Sequence, residues 1–169
     1  MNDLPYFIPD DELDLNISIL IIIFNSLERT NRGKLIINNE NLIIFIFLIK
    51  NPIILNELLH STQNELLSLN DCDIYNIENT SKHMDFLYDY EWLKVLLKYA
   101  SKKGIISVLY RKNTGFMYVL TDKGKEIYKS LSNNNFLKKI QSFALKMKVL
   151  QQYKVKDLKI LINKISENI

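Results

Sequence analysis

The sequence predicts a mainly α-helical chain with a small antiparallel sheet, and three observations support this prediction. Apolar residues recur at helical spacing along most of the 169 residues. The chain has only four glycines and three prolines, so few positions would interrupt a helix. Residues 105–120 instead form two short runs rich in β-branched and aromatic residues, separated by a turn that ends at Gly115. Helices therefore dominate, and one hairpin supplies the sheet.

The stretch from residue 89 to residue 131 gives the most specific prediction. Asp89 is placed to cap a helix whose apolar side contains Trp92, Leu93, Leu96, Leu97 and Ala100. Gly104 ends this helix, and after the hairpin Thr121 caps the next one. Gly124 lies in that helix's first turn, where glycine costs roughly 1 kcal/mol relative to alanine, so we expect a close backbone approach to the hairpin. This order of helix, hairpin and helix is typical of a winged-helix domain, a fold used for nucleic-acid contact or for docking onto another subunit.

The earlier half supplies the remaining elements of such a domain. Asp14 or Asn16 is placed to cap a first helix, and residues 35–37 are a candidate short third strand that pairs with the hairpin. Asn38 or Asn39 caps a second helix that is apolar on all sides, which predicts that it is buried. We therefore expect three parts: an extended arm at 1–13, a winged-helix domain at 14–131 with an insertion at about 52–88, and a helical extension at 132–169.

Two further regions are candidates for partner contact. The amino-terminal arm carries Tyr6 and Phe7 between two prolines, and the polar insertion carries Tyr75. These aromatic residues are candidate partner anchors, although an apolar arm more often docks on its own domain. Two amphipathic helices are predicted after residue 134, and packing against the domain is their simpler interpretation. Their apolar stripes are Phe136, Ile140, Phe143, Met147 and Leu150, and then Leu158, Leu161, Ile162 and Ile165.

Composition excludes several classes of function. Cys72 is the single cysteine and there are two histidines, so neither a disulfide nor a transition-metal site is expected. No phosphate-binding glycine loop and no local nucleophile signature is present, which predicts a chain that is not an enzyme and needs no cofactor or small-molecule substrate. The longest apolar runs are shorter than the roughly 20 residues of a membrane span, and the amino terminus is acidic. We expect a cytoplasmic protein without membrane contact.

Charge is distributed very unevenly along the chain. Residues 1–90 contain 5 Lys and Arg against 14 Asp and Glu, residues 91–169 contain 17 against 5, and the net charge is +3. A basic half favours contact with nucleic acid or with an acidic protein surface, although a solvated lysine-rich surface explains it equally well. The candidate contacts to DNA phosphates are Lys94, Lys98, Lys102, Arg111, Lys112, Lys123 and Lys125. The exposed side of the helix after Asp89 lacks Arg, Asn and Gln, which disfavours sequence-specific readout and leaves nonspecific backbone binding to duplex DNA open.

Four segments together resemble the small middle components of bacterial ABC-three-component systems, which include Lamassu-type antiphage defence. They are Arg32-Gly33-Lys34-Leu35, the helix end Phe47-Leu48-Ile49-Lys50-Asn51-Pro52, the segment from Tyr90 to Gly104, and Leu120-Thr121-Asp122-Lys123-Gly124. The likeness runs from about Leu13 to Ile165, and its order and length are more specific than any single motif. It implies an accessory adaptor subunit that assembles with an SMC-like ATPase and with a separate effector, often a nuclease, in a complex that senses foreign DNA. The alternative function is a winged-helix transcriptional regulator.

Overall fold

The computed structural model describes residues 13–63, 66–69, 84–131 and 133–168. Within these ranges the chain forms seven α-helices and one two-stranded antiparallel sheet, which confirms the predicted fold class. In chain order the elements are α1 (Leu13–Leu27), α2 (Asn39–Lys50), α3 (Pro52–Gln63), α4 (Tyr90–Lys102), β1 (Ile106–Arg111), β2 (Gly115–Leu120), α5 (Asp122–Leu131), α6 (Asn135–Lys146) and α7 (Val155–Ser166). Two 3₁₀ helices, Met84–Tyr88 and Met147–Gln152, precede α4 and follow α6.

Helices α1 and α2 form the centre of the core. α1 packs against α2, α5 and α6, while α3 packs against α7. Every residue from 42 to 49 of α2 is buried, as its unbroken apolar sequence predicts. The Asn38 side chain begins this helix by accepting the backbone N–H of Asn41 at 2.9 Å. The most hydrophobic segments are therefore enclosed by the other helices.

The start of α4 is fixed by a cap and by an aromatic cluster. Asp89 accepts the backbone N–H of Trp92 at 2.9 Å, as predicted. The rings of Trp92 and Phe86 meet edge to face with centroids 4.7 Å apart, and the ammonium of Lys50 lies 5.3 Å from the Trp92 ring. These contacts tie the 3₁₀ helix and α4 to the end of α2.

The hairpin and the start of α5 share one tightly packed junction. Gly104 and Gly115 both adopt a positive φ of 70°, at the end of α4 and at the end of the hairpin turn. The Thr121 hydroxyl donates to the Ile105 carbonyl at 2.9 Å and accepts the Gly124 N–H at 3.1 Å. A Cβ at Gly124 would lie 2.5 Å from the Ile105 oxygen, so the predicted close approach to the hairpin is confirmed.

Three local features differ from the sequence-based predictions. The segment 35–37 contributes a single hydrogen bond to the hairpin, from Tyr118 N–H to the Ile37 carbonyl at 3.1 Å, instead of a third strand. The next backbone N–H on the same side of β2, that of Leu120, donates to the Glu28 carboxylate at 2.7 Å. A side chain therefore replaces backbone pairing at this position. Helix α1 begins at Leu13, so neither Asp14 nor Asn16 caps it.

The carboxyl-terminal helices are present with one break. The first predicted stripe divides into α6 and the 3₁₀ helix that follows Lys146, and Phe136 at its beginning is exposed. In the described ranges, no single helix has both the length and the apolarity to span a bilayer. Helix α2 and residues Pro52–Thr62 have the required length and apolarity only when they are taken together, and they meet at a bend of 109°. The candidate anchors Tyr6, Phe7 and Tyr75 lie outside the described residues.

Candidate functional site

A groove of about 750 Å³ lies between α4 and one face of the hairpin. We call it the α4–hairpin groove. Its α4 side is formed by Tyr90, Glu91, Lys94, Leu97, Lys98, Ser101 and Lys102, its hairpin side by Val108, Phe116 and Tyr118, and Asn39 at the start of α2 closes it. Its size falls within the range of ordinary ligand and peptide clefts.

The strand register determines which hairpin residues face this groove. Ile106 pairs with Leu120, Val108 with Tyr118, and Tyr110 with Phe116, so all three pairs lie on one face. The pair nearest the core is buried, whereas the pair nearest the turn is exposed. The Tyr110 and Phe116 rings contact each other with centroids 5.3 Å apart.

The charged residues of the groove come from α4 and are mainly basic. Lys94, Lys98 and Lys102 follow one another at intervals of four residues, which places them in one row along the helix. Glu91 is the one carboxylate among the described lining residues, and it pairs with Lys94 at 3.4 Å. Both partners of that pair are largely exposed, so the ion pair adds little stability and leaves the ammonium available to a ligand.

Tyr118 contributes a polar group to the inner wall. Burial raises the pKa of its phenol above the ordinary value, and a hydrogen bond with the Asn39 side chain lowers the pKa by a smaller amount. The phenol is therefore neutral at physiological pH. The inner part of the groove is thus uncharged, while its outer edge is positive.

The seven predicted phosphate contacts lie at four separate places in the structure. Lys94, Lys98 and Lys102 lie together in the groove, and Arg111 and Lys112 are exposed at the hairpin turn. Lys123 donates to the Lys103 carbonyl at 2.8 Å. Lys125 pairs with Asp122 at 3.1 Å and lines a separate cleft of about 260 Å³. The seven side chains therefore do not form one continuous row.

The smaller cleft adds residues that sequence reasoning did not single out. Glu28 lies there with Arg29, Lys148 and Ser26. The Glu28 carboxylate accepts Leu120 N–H and pairs with the Arg29 guanidinium at 3.2 Å. Because Glu28 is 92 positions from Leu120, no local sequence pattern could have predicted this contact.

The groove's apolar side was also missed by sequence reasoning. The alternation of side chains along the two strands indicated such an apolar face. Its members, which lie on one side of the paired strands, are Val108, Tyr110, Phe116 and Tyr118. That face could be assigned to α4 only once the hairpin's orientation was known.

Comparison with known proteins gives one family match. Neither the curated proteins nor the solved structures contain a match to this chain. Residues 27–160 match the family model described as ABC-three component (ABC-3C) system Middle Component 4, and this range covers α2 to α6, the hairpin and the first half of α7. The chain therefore belongs to the Middle Component 4 family of ABC-three component systems.

Proposed function

We propose that this middle component is a non-catalytic adaptor of a Lamassu-type antiphage defence complex, in which it joins an SMC-like ATPase to an effector protein. Family membership supports a role as one component of a multi-component ABC system. The observation that carries the adaptor proposal is the exposed apolar end of the hairpin, where Tyr110 and Phe116 are 69% and 60% exposed. Adjacent exposed aromatic residues beside charged ones are typical of protein interfaces.

Coexpression with a candidate SMC-like ATPase of the same system tests the adaptor proposal. We expect the two proteins to copurify as a stable complex through size-exclusion chromatography at physiological salt. The effector is then added to the chain alone, to the ATPase alone and to the pair. Recovery of two separate proteins, or an effector that binds the ATPase equally well without this chain, would contradict the adaptor proposal.

A second part of the proposal is nonspecific contact with the backbone of duplex DNA. Lys94, Lys98 and Lys102 form one exposed row, and Arg111 and Lys112 extend the positive charge to the hairpin turn. The α4 sequence offers ammonium groups but no Arg, Asn or Gln for bidentate base contacts. This composition favours backbone binding over the alternative function, a sequence-specific winged-helix regulator.

Salt dependence separates these two modes of DNA binding. We expect weak binding to duplexes of unrelated sequence, with an affinity that falls steeply as salt is added. Replacing the three α4 lysines with glutamine should reduce the slope of log Kd against log salt by about 3, because each phosphate contact contributes a slope of about 1. The charge-matched control replaces Lys138, Lys156 and Lys164, which are exposed on α6 and α7. Sequence-selective binding, or equal slopes for both triple variants, would contradict backbone contact by α4.

A further inference from the structure

The α4–hairpin groove combines an apolar wall with a row of ammonium groups, and the backbone of a DNA duplex would use only the ammonium groups. Its hairpin wall contains Val108, which is 45% exposed, and Phe116, which is the most exposed apolar side chain of the groove. Leu97 and Tyr118 lie deeper and are buried. Phosphates gain nothing from contact with these side chains, whereas apolar side chains of a ligand would be removed from water there.

The hairpin register makes this apolar wall continuous with the protein core. Ile106 and Leu120 are buried at the inner end of the same face, and Tyr110 and Phe116 are exposed at the outer end. The face therefore changes from covered to uncovered within three residue pairs. A ligand in the groove would extend the core outward along the hairpin.

The charges of the groove indicate which polar groups a ligand must carry. Among the residues that the structure describes, the groove carries three ammonium groups and one carboxylate, and the ammonium groups of Lys94, Lys98 and Lys102 lie on the α4 side opposite the apolar wall. A ligand that fits must offer apolar side chains toward the hairpin and anionic groups toward α4. Charge complementarity of this kind determines which partners bind and how quickly they associate.

We propose that the α4–hairpin groove is the docking site for an acidic amphipathic segment of a partner subunit. Its apolar side chains contact Val108 and Phe116, and its carboxylates pair with Lys98 and its two neighbours in the row. This inference rests on the proposed adaptor function and identifies the chemistry of the partner. If the segment docks in this way, it competes with duplex DNA for the α4 lysines.

The probe is a synthetic peptide with leucine and phenylalanine on one helical face and glutamate on the other. Two matched peptides isolate the two requirements: in one, every glutamate is glutamine, and in the other, every apolar residue is serine. Binding to the full chain is measured by fluorescence anisotropy. We expect both changes to weaken binding by about tenfold or more, because the serine peptide loses its central anchors and the glutamine peptide loses all of its charge pairs at once.

Matched variants locate the binding site. Phe116→Ser should weaken binding of the acidic amphipathic peptide by about tenfold, as expected for loss of an interface anchor. Phe136→Ser is its control, because Phe136 is 58% exposed on α6 and does not line the groove. Lys98→Gln and Lys138→Gln form a second pair, one in the groove and one on α6. All four positions are exposed, so the variants should fold, and thermal unfolding checks this.

The outcomes separate this inference from the adaptor proposal. Equal binding of all three peptides, or equal effects of Phe116→Ser and Phe136→Ser, would overturn the groove proposal even if the chain copurifies with the ATPase. A single-stranded oligonucleotide that binds with the same Phe116 dependence and excludes the peptide would also overturn it, since aromatic stacking on bases would then explain the groove. Phe116-dependent peptide binding without ATPase copurification would support the groove and contradict the adaptor role.

Discussion

Replacing Gly124 with alanine tests the packing between the hairpin and α5. Helix propensity alone favours alanine by about 1 kcal/mol at a helical position. The structure predicts the opposite sign, because the new Cβ would lie 2.5 Å from both the Ile105 oxygen and the Leu120 Cδ1 atom. Ordinary contacts between such atoms are about 3.5 Å or longer, so one side must move by about 1 Å.

The Ile105 carbonyl cannot withdraw freely from the new methyl group. It accepts the Thr121 N–H at 3.0 Å and the Thr121 hydroxyl at 2.9 Å, and moving it would weaken both hydrogen bonds. Overpacking costs about 1–3 kcal/mol, and a lost hydrogen bond adds about 1 kcal/mol. After subtraction of the propensity gain, we expect Gly124→Ala to lower the free energy of unfolding by about 1–3 kcal/mol.

Urea denaturation followed by circular dichroism measures this change. The midpoint should fall while the m value stays constant, because the variant exposes the same surface on unfolding. Glu126→Ala is the control, since Glu126 is exposed in the same helix and should change stability by less than about 0.5 kcal/mol. A variant at Gly124 that is as stable as the parent, or more stable, would refute the steric argument.

Substitutions at three other positions test other single contacts. Glu28→Ala removes the acceptor of Leu120 N–H and should lower the free energy of unfolding, measured in urea, by about 1–3 kcal/mol. Glu28→Gln keeps an oxygen at this position and should retain most of the parent's stability. Asp89→Ala should lower the free energy of unfolding by about 1 kcal/mol, because the backbone N–H of Trp92 loses its capping acceptor, and an unchanged melting temperature would contradict this. Because burial raises the pKa of Tyr118, its contribution to stability is complete below the ordinary tyrosine pKa of 10.0 and is lost as pH rises through the raised value. Tyr118→Phe should therefore lose less stability above pH 10.0 than the parent does, and identical alkaline unfolding curves would count against burial of this phenol.

Local patterns predicted the elements whose geometry depends on nearby residues. The cap at Asp89, the positive φ at Gly104 and Gly115, and the crowding at Gly124 all follow from rules that act within a few positions. These rules sufficed for α4, the hairpin and α5. The lysine row on α4 was predicted for the same reason, since helical spacing alone places its members together.

Features that depend on distant residues were not predictable in this way. The sequence shows an apolar segment at 35–37, but it does not show that Glu28 occupies the neighbouring Leu120 amide instead. No local pattern marks the break after Lys146 or the exposure of Phe136. The groove required the orientation of the hairpin relative to α4, which is a tertiary property.

The pleat of the hairpin limits how its length can vary among relatives that use the same face. Adding one residue to β1 directly after Ile106 would turn Leu109 toward α4 and direct Val108 away from it, because consecutive side chains point to opposite sides. Adding a residue pair to both strands would preserve the face and only move the turn outward. Longer hairpins with an unchanged inner surface should therefore arise by insertions of even length, matched on the two strands.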